Sequence, residues 1–135
     1  MTSHAVIQRW HEIVAAKDPS KLHDWLAEDC CFWSPVIHTP QQGRAITMFY
    51  LSAAFGVLGP KLRYVREWVG PSDAVLEFET QVDDVIVNGV DMIHWNEAGL
   101  VTEFKVMIRP LKAIGVVQEK MATMLAQSRE LSGVG

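Results

Sequence analysis

The chain has 135 residues, which suggests one domain spanning 1–135. It is 49% hydrophobic with a mean hydropathy of +0.09, enough apolar material to bury a proper core. A net charge of −4 without any basic cluster argues against a nucleic-acid partner, and no apolar run approaches the ~18 residues of a membrane span.

The first residues, Met1-Thr2-Ser3-His4, lack a charged stretch followed by an apolar one, so no secretory signal is expected. Val6, Trp10, Ile13 and Val14 recur at helical spacing and predict a first helix over His4 to Ala16. Asp18-Pro19 reads as an N-cap followed by proline at the first helical position, opening a second helix with Leu22, Trp25 and Leu26. Cys30 to Trp33 reads as a short strand halted at Ser34-Pro35. Neighbouring strand residues point to opposite faces, so Cys30 and Cys31 are expected as reduced thiols of a cytoplasmic protein, one of them in the core. A loop with His38, Pro40 and Gly43 leads to a third helix, Arg44 to Phe55, with Ile46, Phe49, Tyr50 and Ala53 as its apolar stripe. Gly56 and Gly59-Pro60 are expected to end it.

From there the period changes to two. Leu62, Tyr64, Arg66 and Trp68 alternate with Arg63, Val65, Glu67 and Val69 up to a turn at Gly70-Pro71-Ser72-Asp73. Leu76, Phe78, Thr80 and Val82 form the buried side of the next strand, with Glu77 and Glu79 opposite. Asp83-Asp84 turns the chain into a strand from Val85 to Trp95. Within it Asn88-Gly89 reads either as a bulge or as a hairpin turn in its own right. A break at Asn96-Glu97-Ala98-Gly99 precedes the last strand, which stops at Arg109-Pro110. Ile114, Val117, Met121, Met124 and Leu125 predict a C-terminal helix, with a frayed tail from Ser132 to Gly135. Helices gathered before a strand meander predict an α+β fold, a cone-shaped curved antiparallel sheet wrapped by the N-terminal helices and a C-terminal helix around an apolar interior.

Asp91 stands out in this pattern. It shares a strand face with Ile93 and Trp95, where a carboxylate is costly to bury unless its pKa rises or it gains a partner. His94 is out of phase and belongs to the other face. The chain resembles the nuclear transport factor 2-like superfamily, which includes ketosteroid isomerases and SnoaL-like polyketide cyclases. The resemblance spans Val6 to Trp10, Leu26 to Cys30, Ser34-Pro35, Gly43 to Ile46 and the hairpin from Val90 to Pro110. It implies that Asp91 occupies the place of an oxyanion-hole acid and that Tyr50 matches a supporting tyrosine. It also implies that Trp10 replaces a helix-one tyrosine and Ser34 replaces the general-base aspartate. The resemblance thus argues against steroid isomerisation by the ketosteroid isomerase route.

These observations lead to two expectations of function. One is a pocket protein performing lyase- or isomerase-like proton transfer on an apolar, polyketide-like or steroid-like carbonyl compound. Asp91, His38 and Tyr50 would act on it and Trp10, Ser34, Phe78, Ile93 and Met107 would bind it. The other is a non-catalytic ligand-binding or dimerisation module. Neither needs a metal or cofactor: the histidines lack ligand spacing, and no phosphate loop is present. A homodimer through the sheet face is expected, with Trp68, Trp95 and Glu79 at the interface.

Overall fold

The computed structural model describes residues 3–132, with side chains described for 5–127. Met1 and Thr2, on which the absence of a signal was read, lie outside the described residues. So do Gly133, Val134 and Gly135 of the tail expected to fray, while Ser132 ends the last helix.

The elements follow the expected order. Helix α1 (Ser3–Ala16) buries Val6, Ile7, Trp10 and Ile13. Asp18 does cap the next segment, its carboxylate accepting the Ser20 N–H at 3.1 Å, but Pro19–Lys21 is a turn of 3-10 helix. The helix behind it, α2 (Leu22–Trp25), is a single turn, and Leu26 already begins strand β1 (Leu26–Trp33). The second helix is thus shorter and the strand longer than expected, because burial of Trp25, Leu26 and Ala27 overrides the helical spacing. A two-residue strand, β2 (Gln41–Gln42), follows, then helix α3 (Arg44–Leu58). Gly56 does not end α3. A Cβ there would lie 2.7 Å from Met124 Cε, so this glycine serves the contact with helix α4 (Leu111–Ser132).

Strands β3 (Arg63–Val69), β4 (Asp73–Val82), β5 (Val85–Trp95) and β6 (Val101–Arg109) form the antiparallel meander. The sheet order is β2-β1-β6-β5-β4-β3, and β1 joins β6 in parallel, so the sheet is mixed. The α+β class and the curved sheet under helices are as expected. Asn88 and Gly89 form neither a turn nor a bulge, since both pair in register with Glu79 and Phe78 on one side and with Arg109 and Ile108 on the other. Gly89 is there for space: a Cβ would lie 2.6 Å from both the Met107 carbonyl oxygen and Phe78 Cζ.

The inner faces of β4 and β5 carry Leu76, Phe78, Thr80, Val87, Asp91 and Ile93, all buried. A register shift at Val65 changes what β3 contributes to that side. Tyr64 pairs with inward-facing Phe78, Glu67 with inward-facing Leu76, and Arg66 and Trp68 turn outward with Glu77 and Val75. Simple alternation had put Tyr64, Arg66 and Trp68 on one face.

Candidate functional site

Asp91 lies at the middle of β5 with 5% of its surface exposed. Tyr64 donates its hydroxyl to Asp91 Oδ2 at 2.7 Å, and Trp10 donates its indole N–H to Tyr64 Oη at 2.8 Å. Burial pushes the Asp91 carboxyl from 3.8 up to about 7, because the charged form loses its hydration, while the Tyr64 hydrogen bond partly counters the rise. Burial also raises Tyr64 well above its usual range, with the neighbouring Asp91 charge adding to the effect. A carboxyl that titrates near neutrality can donate or accept a proton under ordinary conditions.

These three side chains lie along a cavity of about 40 Å³. Its deep walls are Leu51, Phe78, Phe104 and Val106, and the half-buried Val14, Ala54, Phe55, Gly59 and Leu62 form its outer end. The volume holds a few water molecules at most. Anything larger enters only if the outer residues move. Beside the cavity, His11 of α1 pairs with Glu67 of β3, and its ring meets Tyr64 edge-on at 5.0 Å.

Of the residues singled out in the sequence, the structure brings Asp91, Trp10 and Phe78 to this cavity. Tyr50 is buried against Phe32, with ring centroids 6.0 Å apart, and Ile93 is buried in the core, both outside the cavity walls. Met107 corrects the expectation: it is on the outer face of the sheet, 51% exposed. With Ser34, His38 and Lys105 it borders a separate open groove. Ser34 accepts the Val36 N–H at 3.2 Å and His38 is exposed, so neither reaches the cavity that Asp91 lines. Trp95 is also corrected, being 4% exposed on the inner side and not free to cover an interface. His94 is exposed on the outer face, in the phase expected.

Tyr64 is the residue the sequence did not single out. Its signal was indirect. A buried Trp10 needs an acceptor for its N–H, and a tyrosine on the adjoining edge strand is a natural one. The bulge at Val65 hid the direction of that side chain. Among the described residues no group of three or more His, Cys, Asp or Glu side chains is placed to hold a metal ion.

Two solved structures resemble the chain over nearly its full length. A steroid delta-isomerase from Pseudomonas aeruginosa is 30% identical, with a TM-score of 0.89 over 93% of each chain. A bacterial protein with a cystatin-like fold from Silicibacter pomeroyi is 34% identical, with a TM-score of 0.86 over 98% of this chain and 94% of that one. The chain belongs to the nuclear transport factor 2-like superfamily. A further member of that superfamily, from Mesorhizobium loti and of unknown function, shares the fold at 19% identity and a TM-score of 0.69, over 80% of this chain and 91% of that one. No protein-family model matches the chain, and no curated protein matches it.

As a nuclear transport factor 2-like protein, the chain has the fold of a pocket protein, with the pocket between the curved sheet and α1 and α3. No described helix is long and apolar enough to cross a membrane. Trp10 of α1 supplies an indole donor, and the hydroxyl that reaches Asp91 comes from Tyr64 on the edge strand β3.

Proposed function

We propose that the chain binds an apolar carbonyl compound, with Asp91 as the acid or hydrogen-bond donor to the ligand oxygen, and performs isomerase- or lyase-like proton transfer on it. One observation carries this reading: a single carboxyl, raised to about 7, in the wall of a largely apolar cavity. A carboxylic acid kept neutral there stabilises negative charge developing on a carbonyl oxygen. The 30% identical steroid delta-isomerase supports the substrate class. His38, Ser34 and Tyr50 assist only if ligand entry carries them towards the cavity.

The second reading is a binding or dimerisation module without turnover. It is favoured by the cavity volume, about 40 Å³ against the roughly 300 Å³ and more of ligand pockets. It is also favoured by the cavity walls, whose ionisable groups are Asp91 and Tyr64, with no second base.

A β,γ-unsaturated steroid ketone separates the two. Conversion to the conjugated ketone by the wild type, lost in Asp91→Asn while binding persists, supports the first reading. Binding without conversion, weakened roughly tenfold or more in Asp91→Leu, supports the second. Failure to bind at any pH overturns both for this substrate class. The free thiols of Cys30 and Cys31 fit a reducing, cytoplasmic setting. The outer sheet face, where Trp68 is 53% exposed, is our proposed homodimer interface.

A further inference from the structure

The hydrogen bonds at the site have a direction set by chemistry. An indole N–H can only donate, so Tyr64 Oη is the acceptor in its 2.8 Å contact with Trp10. The one hydroxyl proton of Tyr64 then goes to Asp91 Oδ2 at 2.7 Å. The indole itself has little freedom. It stacks on Trp25 at 4.9 Å and 22° and meets Phe104 at 5.0 Å. Trp25 is anchored in turn, donating its own indole N–H to the Val6 carbonyl at 3.0 Å. Turning Trp10 away would break a buried aromatic cluster.

We propose that Trp10 is a positioning residue: its fixed N–H turns the Tyr64 hydroxyl onto Asp91 and leaves Oδ1 of Asp91 as the atom that meets a ligand. Tyr64 is then not the ligand's donor. A ligand acceptor oxygen is met by the protonated acid, and a ligand donor by the carboxylate. The same chain explains how a helix-one tryptophan is compatible with a functional carboxyl. Donation from Trp10 makes the Tyr64 hydroxyl a stronger donor to Asp91 than it would be alone. The assignment rests on Asp91 being the ligand-facing group, as proposed above. Its test needs no ligand, so the two readings fail separately.

The test follows the tryptophan indole N–H resonances and the Asp91 side-chain carboxyl by NMR as pH is raised across neutrality. The Trp10 indole signal is expected to shift with the same midpoint as the Asp91 carboxyl. In Tyr64→Phe, Asp91 still titrates but the Trp10 signal no longer follows it. The other ionisable groups facing Tyr64 are His11 and Glu67. His11→Gln is expected to leave the Trp10 step in place. Trp10→Phe is expected to raise the Asp91 midpoint, by less than Tyr64→Phe does, and to add nothing in the Tyr64→Phe background. A Trp10 signal that stays flat through the Asp91 titration overturns the proposal. So does one that still follows it in Tyr64→Phe, one that loses its step in His11→Gln, or an Asp91 midpoint on which the two substitutions act additively. If either substitution at Trp10 or Tyr64 prevents folding, the wild type and His11→Gln decide alone. Coincident midpoints support the chain, and a flat Trp10 resonance refutes it.

Discussion

Asp91 makes the stability of this protein depend on pH in a direction opposite to that of most carboxylates. Its pKa in the folded state, about 7, exceeds the ordinary 3.8. Between those values the folded protein keeps a proton that the unfolded chain has released, so stability falls as pH rises through this window. At 1.36 kcal/mol per unit, the full loss above neutrality is on the order of 4 kcal/mol. Asp91→Asn removes the charge and still accepts from Tyr64. It is expected to be more stable than the wild type at alkaline pH and to match it near pH 4, a comparison that urea unfolding at the two pH values makes directly. Equal stabilities at both would mean that Asp91 titrates normally. Tyr64→Phe acts the other way. It leaves the Trp10 N–H without its acceptor and Asp91 without its donor, costing about 1–3 kcal/mol, with the larger cost above neutrality, where the lost hydrogen bond is to a carboxylate. Asp91 was legible in the sequence because a period-two face exposes a misplaced carboxylate. Tyr64 was not, because one extra residue at Val65 inverts the faces of β3 beyond it.

The two glycines at α3 and β5 separate space from conformation at the level of elements. Gly89 sits in an unbroken ladder at a position where a methyl group meets the Met107 carbonyl oxygen and the Phe78 ring, both at 2.6 Å. One is backbone and the other a fully buried ring, so neither yields easily. Gly89→Ala is expected to destabilise by about 1–3 kcal/mol and to disturb the Asp91 strand two residues away. Gly56 in α3 faces the flexible end of Met124 at 2.7 Å. Gly56→Ala has a methionine that can move and gains helix propensity, so it is expected to lie within about 1 kcal/mol of the wild type. Thermal unfolding of the pair checks the contrast, and equal losses would contradict it. Neither role was visible in the sequence, which offered Gly56 as a helix stop and Asn88-Gly89 as a turn or bulge. Turn chemistry is local, whereas these glycines answer to partners far along the chain. The turn at Asn96 to Gly99 was legible for the same reason: Asn96 Oδ1 accepts from the N–H groups of Ala98 and Leu100, and Gly99 has φ of 79°.

At the scale of the whole molecule, the order of elements and the change of period from helix to strand were enough to give the α+β class. They did not give the parallel pairing of β1 with β6, since that contact joins residues such as Phe32 and Phe104 across most of the chain. The outer sheet face is the large surface left over by this arrangement. Trp68 and Met107 are 53% and 51% exposed there, beside the ion pairs of Arg66 with Glu77 at 3.0 Å and Arg63 with Glu79 at 2.7 Å. The Arg66 guanidinium also lies 5.8 Å from the Trp68 ring centroid. Apolar side chains interspersed with charges of both signs are what the two-fold interface we propose would use. Sedimentation equilibrium at micromolar concentration is therefore expected to give twice the 15.1 kDa chain mass. Trp68→Glu places a charge on the edge strand β3 of that face and is expected to yield the monomer with its secondary structure intact. The Asp91 cavity lies on the opposite side of the sheet, so the Asp91 titration in that monomer should match the wild type. A wild-type protein that sediments as a monomer contradicts the interface, and a dimer that survives Trp68→Glu places it elsewhere on the surface.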